Sequence, residues 1–212
     1  MHLLLTDHLI CPRCENESGL ILLSERMVDR RVETGAVGCP QCRTQYPIRD
    51  GIVDLRTGAT PPPSEMIALD AEGAHRLAAL IGVTEGPAFV LVVGLSTESA
   101  AQLAAVVPGV EIVSAGADDG ASVPGVSRLL FDGRIPIRTA GMNGVAVTVA
   151  AEPELHADAS RVLDPLGRLV LTAADELAVE TLTAAGMRVV AQEGNTAVAV
   201  MSPDRFAGPS RI

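Results

Sequence analysis

From residue 88 onward the chain alternates short apolar runs with segments of helical periodicity. The runs are AFVLVVG (88–94), VEIVSAG (110–116), SRLLF (127–131), VAVTVA (145–150), GRLVLTA (167–173), MRVVAQE (187–193) and TAVAVMS (196–202), and helices fit at 97–107, 152–164 and 174–185. Strands that read as continuous apolar runs are buried on both faces, so the pattern predicts an α/β fold with a doubly wound, mostly parallel sheet. Only Gly194-Asn195 separates the last two runs, which predicts a C-terminal antiparallel hairpin. Ahead of this region, Ser64 is placed to cap a helix whose apolar positions include Ile67, Ala71, Ala74, Ala78 and Ile81.

The first part of the chain reads differently. Two short strands, GLILLSE and RRVETGAVG, fit between Gly19 and Gly38, and Asp50-Gly51 is a turn signal between two short extended pieces. Three consecutive prolines, Pro61 to Pro63, can continue neither a helix nor a sheet and make a semi-rigid spacer. The expected organisation is a small domain over 1–56, a Pro-rich linker over 57–63 and a main domain over 64–212.

Composition narrows the function classes. With three Phe, one Tyr and no Trp in 212 residues, the core must be built from Ala, Val, Leu and Ile. All 16 basic residues are Arg, which reads as compositional bias. Residues 1–57 carry 7 Arg against 8 acids and the remainder 9 against 18, so the net charge of -10 falls almost wholly on the main domain. That is a poor match for nucleic acid, whose binding depends on neutralised phosphates. Contacts to RNA would fall to Arg13, Arg26, Arg30, Arg31, Arg43 and Arg49, for which a solvated face is the plainer reading. The longest uncharged stretch, Thr139 to Ala151, is too short to span a bilayer and contains polar residues. MHLLLTDHLIC lacks the basic start and cleavage site of a signal peptide. The expectation is a cytoplasmic protein, in which cysteines serve as metal ligands rather than disulfides.

The four cysteines fall as Cys11-Pro-Arg-Cys14 and Cys39-Pro-Gln-Cys42. A two-residue gap lets both sulfurs of a tight turn face one ion, and two such turns supply four thiolates to a tetrahedral zinc. Two disulfides, a redox pair or an iron cluster are the competing readings. After the second pair comes CRTQYPIRDGIVDL, which resembles the ending of the small zinc-ribbon activator proteins that partner tRNA and release-factor methyltransferases. Tyr46, Pro47, Ile48, Asp50, Gly51, Ile52 and Leu55 match that family's pattern, and Val53 replaces its usual proline. The resemblance implies a zinc ribbon with a protein partner, a methyltransferase or the translation machinery. In that family the ribbon extends or covers an edge of the methyltransferase, a contact a covalent linker here could supply at high effective concentration.

The main domain, over 88 to about 202, resembles the class I S-adenosylmethionine-dependent methyltransferases. ASRVLDPLGRLVL (159–171) is similar to the family's "RVLKPGGRLVL", TAAGMRVV (183–190) to "EAAGFRVV", and LLFDGRIPI (129–137) to "GDAxxLPF". VLVVGLSTE (90–98) aligns with "VLDLGCGTG": Gly94 is kept, Ser96 and Glu98 stand at the second and third glycines, and Val92 replaces the acidic residue. Side chains there narrow the pocket, and Glu98 adds charge near the cofactor carboxylate. Ser114, Ala115 and Gly116 stand where an acid grips the ribose, and Asp118 and Asp119 read as an acidic loop. The resemblance implies cofactor contacts at Gly94, Ser96 and Asp132, the last matching the adenine-contacting residue or, equally, a turn or cap. Glu152, Glu154 and His156 could form a general-base cluster, although a solvated helix start explains the acids better. His2, His8 and His75 have no catalytic spacing.

Three functions follow. The first is a degenerate methyltransferase-like domain fused to its zinc-ribbon activator, a scaffold or regulatory partner with weak or absent cofactor binding. The second is an active S-adenosylmethionine-dependent methyltransferase acting on RNA, a translation protein or a small molecule. The third is a binding module for another ligand in the former cofactor crevice. The first is preferred because three cofactor positions change together.

Overall fold

The computed structural model describes residues 1–14, 17–58, 66–116, 123–149 and 151–202. The three prolines, Ser64, Asp118 and Asp119 lie outside the described residues. The elements run β1 (Ile21–Val28), β2 (Arg31–Gly38), β3 (Gln45–Arg49), β4 (Ile52–Asp54), α1 (Ala71–Ile81), β5 (Ala88–Val93), α2 (Thr97–Val106), β6 (Val110–Ala115), β7 (Val126–Leu130), β8 (Met142–Val147), α3 (Pro153–Val162), β9 (Leu163–Leu171), α4 (Glu176–Ala184), β10 (Met187–Glu193) and β11 (Thr196–Met201).

All strands join one 11-stranded sheet in the order β1-β2-β3-β4-β7-β6-β5-β8-β9-β11-β10. β4, β7, β6, β5, β8 and β9 pair in parallel, and β11 returns antiparallel between β9 and β10. The strand order reverses between β5 and β8, the switch point at which sheets of this kind bind ligands beyond their carboxyl ends. The period of two sorts the strands' side chains onto two faces. Val90, Val92, Ile112 and Ala146 meet Leu77, Ile81 and Leu103 of α1 and α2; Leu91, Val93, Val113, Val145 and Leu169 meet Ala159, Val162 and Leu182 of α3 and α4.

Three elements differ from the periodicity. α1 starts at Ala71, with Asp70 Oδ1 accepting from Gly73 N at 2.8 Å, so Ile67 precedes the helix instead of lying in it. The cap belongs to Asp70, six residues after Ser64, because Ile67 is engaged at the end of β5. β8 begins at Met142, earlier than its apolar run, and β9 at Leu163; within β9 residues 164–167 leave the register with β8, with Leu166 N donating to Asp164 Oδ1 at 2.9 Å.

The N-terminal strands extend the sheet edge. Ile52, Val53 and Asp54 pair with Arg128, Leu129 and Leu130, and Leu55 N donates to Leu130 O at 2.8 Å. Met1, Leu5, Leu9, Tyr46, Ile48 and Val53 thereby enter the same core cluster as α3 and α4. They are needed there because the β7–β8 connection, 131–141, carries no helix. A 3₁₀ turn, Leu3–Asp7, and a bridge between Leu9 and Ile137 lie beside it, with Ile10 N donating to Pro136 O at 3.0 Å. From below, Arg161 of α3 holds Ile137 O and Ile135 O at 2.7 and 2.8 Å. A polar seam runs alongside: Arg31 makes two bonds of 3.1 and 2.9 Å to Glu111, which also accepts from Ser127 Oγ at 2.6 Å. No helix among the described residues is long and apolar enough to cross a membrane.

Candidate functional site

The cysteine turns are brought together by the return of β1 and β2. Their four sulfurs lie within 4.8 Å of one another, with Cys11 to Cys42 at 3.7 Å and Cys14 to Cys39 at 3.8 Å. A tetrahedral ion with metal–sulfur bonds of about 2.3 Å sets a sulfur–sulfur edge of about 3.8 Å, whereas a disulfide closes to about 2.05 Å. The spacing therefore fits a single ion, and all four cysteines are free thiols. Cys11 and Cys39 are buried, Cys14 is half-buried and Cys42 is exposed.

The surroundings orient these ligands. Tyr46 Oη lies 3.3 Å from Cys11 Sγ and Thr44 Oγ1 lies 3.2 Å from Cys42 Sγ. Cys39 N donates to Thr44 O at 2.9 Å and Arg43 N to Cys39 O at 3.0 Å, closing the second turn with Arg43 at φ 60°. Hydrogen bonds from the Thr44 side chain and backbone push the Cys42 thiol down to about 6, while the hydrogen bond to Cys42, and then burial, push Cys14 up to about 12.

The second candidate is the crevice at the carboxyl ends of β5 and β6. Gly94 takes φ +83°, and a Cβ on it would lie 2.5 Å from Val149 Cγ1. Ile67 N donates to Gly94 O at 2.8 Å, and Ser96 N donates to Ile67 O at 3.0 Å. The main-chain groups of the strand-end turn are thus taken up by the chain itself. The thioether of Met66 sits at Gly116, with Sδ and Cε both 2.9 Å from where a Cβ would be, and Leu69 N donates to Ser99 Oγ at 2.7 Å.

The remaining sequence candidates divide. Ser96 is the N-cap of α2, with its hydroxyl 3.3 Å from Ser99 N and 2.9 Å from Ser99 Oγ. Glu98 is solvent-exposed in the first turn of α2, and Val92 is buried in the sheet. Ser114 and Ala115 are buried at the end of β6. Asp132 is buried, and its carboxylate accepts from Thr57 N at 2.8 and 3.0 Å, from Thr57 Oγ1 at 3.1 Å and from Gly58 N at 2.7 Å, which ties down the chain leaving β4. Glu152 and Glu154 are exposed while His156 is buried, so the three do not converge. Burial lowers the His156 pKa, which the charge of Asp175 opposes, and its Nδ1 has no hydrogen-bond partner among the described residues. His75 Nδ1 lies 2.7 Å from Ala71 O, within its own helix.

Met66, Ile67 and Val149 had no signal of their own in the sequence. Val149 lies within an apolar run and Ile67 within an apparent helix; only Asp70, a strong cap residue, marked the later helix start that frees Ile67.

No protein-family model matches the chain, and no curated protein sequence matches it. Solved structures do. A TehB-like S-adenosylmethionine-dependent methyltransferase from Corynebacterium glutamicum is 16% identical over 64% of this chain and 89% of its own, with a TM-score of 0.50. The glycopeptide N-methyltransferase MtfA, complexed with sinefungin, is 13% identical over 71% of this chain and 92% of its own, also at 0.50. A chain from the complex between the Haloferax volcanii Trm112 methyltransferase activator and a putative methyltransferase is 16% identical over 57% of this chain and 70% of its own, at 0.45. At such identities the likeness is one of fold alone: a methyltransferase-like α/β sheet with a mostly parallel core, in a chain that also carries a cluster of four cysteines.

Proposed function

We propose that this chain is a methyltransferase-like scaffold or regulatory partner, stapled by zinc and binding S-adenosylmethionine weakly or not at all. The observation that carries the reading is the engagement of Ile67 with Gly94 O and Ser96 N, beneath Val149. A nucleoside cofactor seated at this strand end would need those main-chain groups and that space. The changes at Ser96 and Val92 and the missing ribose acid point the same way, and Asp132 is committed to Thr57 and Gly58.

Cys11, Cys14, Cys39 and Cys42 would hold the zinc. Four thiolates leave no open coordination position, so the ion would supply a structural cross-link rather than an activated water. In this reading 1–56 is the ribbon, 57–63 the linker and 64–212 the methyltransferase-like domain of a cytoplasmic protein. The pairing of β4 with β7 gives the ribbon its contact within the chain, which leaves the β1 side of the ribbon for a protein partner.

The test is calorimetric titration of the zinc-loaded protein with S-adenosylmethionine and S-adenosylhomocysteine. The expected result is no saturation at micromolar concentrations with the fold intact. Micromolar binding would instead assign an active methyltransferase.

A further inference from the structure

We propose that Cys42 is a peroxide-reactive cysteine: a hydroperoxide oxidises its sulfur, Cys11 closes a disulfide with it, and the zinc leaves. The inference rests on the reading that the four cysteines hold zinc, and adds to it a modification site.

The four sulfurs are not equally placed. Cys11 and Cys39 are buried and Cys14 is half-buried, whereas Cys42 is exposed, so an oxidant arriving from solvent meets Cys42 first. A short relay of donors stands beside it. Arg13 donates to Thr44 Oγ1 in a long contact of 3.5 Å, and Thr44 Oγ1 lies 3.2 Å from Cys42 Sγ. With a lone pair facing the guanidinium, the Thr44 hydroxyl turns its proton to the thiolate. The same two groups are placed to hold the oxygen that leaves a peroxide as hydroxide, which is where negative charge develops. Cys11 has a hydroxyl neighbour too, Tyr46 Oη at 3.3 Å, but that pair is buried and out of an oxidant's path.

The partner sulfur is set by spacing. Cys11 Sγ stands 3.7 Å from Cys42 Sγ, and Cys14 Sγ 3.8 Å from Cys39 Sγ, so both contacts run between the turns rather than within one. The first step breaks the peroxide O–O bond: the Cys42 sulfur takes one oxygen as a sulfenic acid and hydroxide departs. In the second, the Cys11 thiolate attacks that sulfur; the S–S bond forms, the S–O bond breaks and a second hydroxide leaves. Two thiolates have lost two electrons and one peroxide has gained them. Zinc keeps its oxidation state but loses half of its ligands, and with them its hold on the chain. Cys11 belongs to the buried cluster that contains Val53 and Leu129, so an event at the surface reaches the joint between β4 and β7.

The test uses the full-length, zinc-loaded protein and one equivalent of hydrogen peroxide. Zinc release is read with a chromogenic chelator against a peroxide-free control. A sulfenic-acid trap added at early times marks the sulfur attacked, and peptide mapping locates the disulfide. The expected result is one zinc released per chain, the trap on Cys42 and the bridge between Cys11 and Cys42, with reductant restoring zinc binding. Thr44→Val should load zinc fully yet release it at least about tenfold more slowly, and Thr44→Ser should return to the wild-type rate. Should Thr44→Val not load zinc, Arg13→Gln, at an exposed position outside the ligand set, should show the same slowing. A chain that binds no zinc at the start would overturn this inference together with the zinc reading. Zinc retained under equimolar peroxide, a first trap on Cys14, a first bridge within one turn, or an unslowed zinc-loaded variant would overturn this inference alone.

Discussion

At Gly94 the main chain takes φ +83° and the Val149 side chain occupies the space a Cβ would enter, 2.5 Å away. Gly94→Ala therefore combines left-handed strain of about 1–2 kcal/mol with overpacking of about 1–3 kcal/mol. The expected loss, about 3 kcal/mol, is read from the urea midpoint; adding Val149→Ala should return the overpacking share, and an equal loss in both variants would rule out the clash. Histidine gives the second prediction at this scale. Burial, the largest cause in each case, lowers the pKa of His2, His8 and His156 below the ordinary histidine value of 6.5. A depressed histidine stays neutral in the fold, so below its unfolded pKa the unfolded chain binds more protons, and stability falls as pH drops from about 6.5 toward 5. Urea titrations at about pH 7.5 and 5.5 should show that fall, and His156→Gln should flatten it; stability that rose on acidification would contradict the sign. The cysteines were legible from spacing alone, since two tight turns admit few geometries. Val149 was not, because nothing in an apolar run says which member overhangs a glycine.

Among elements, the strands of the parallel sheet were legible because burial on both faces leaves no polar alternation to confuse the pattern. The start of α1 was not: Ser64 and Asp70 both offer a capping oxygen, and Ile67 decides between them through main-chain bonds to a strand distant in sequence. The docking of β4 on β7 was equally hidden, since three residues of edge pairing carry no local signature. What fastens that docking is testable. The side chains of Arg31 on β2 and Glu111 on β6 are only 18% and 10% exposed, so neither charge can fall back on water. Glu111→Gln leaves the guanidinium uncompensated, and losing one partner of such a pair costs about 3–5 kcal/mol. A stability loss under about 1 kcal/mol would place the pair with ordinary surface bridges, whereas Arg31→Met in the same chain should recover part of the loss.

For the whole molecule, the consequence of one sheet and one shared core is that the cysteine centre stabilises more than its own turns. Cys11 and Cys39 sit in the same buried cluster as Leu129, Val145 and Leu169, and Leu5, Leu9 and Ile48 join it from the N-terminal part. A structural zinc contributes roughly 10–16 kcal/mol in zinc-finger peptides, against a total stability of about 5–15 kcal/mol for a typical domain. If zinc is held here, the segment before Arg56 cannot stay folded once it is stripped. Its departure uncovers β7 and the helix-free connection 131–141, whose Ile135 and Ile137 are fully buried. Chelation should therefore release one zinc per chain and lower the melting temperature of the entire protein in a single transition. Hydrogen exchange should rise at Leu129 and Ile137 together with Val32 and Val37. Exchange confined to the N-terminal strands, with β7 still protected, would mean that the sheet stands without the ribbon and that β4 adds contact but not support.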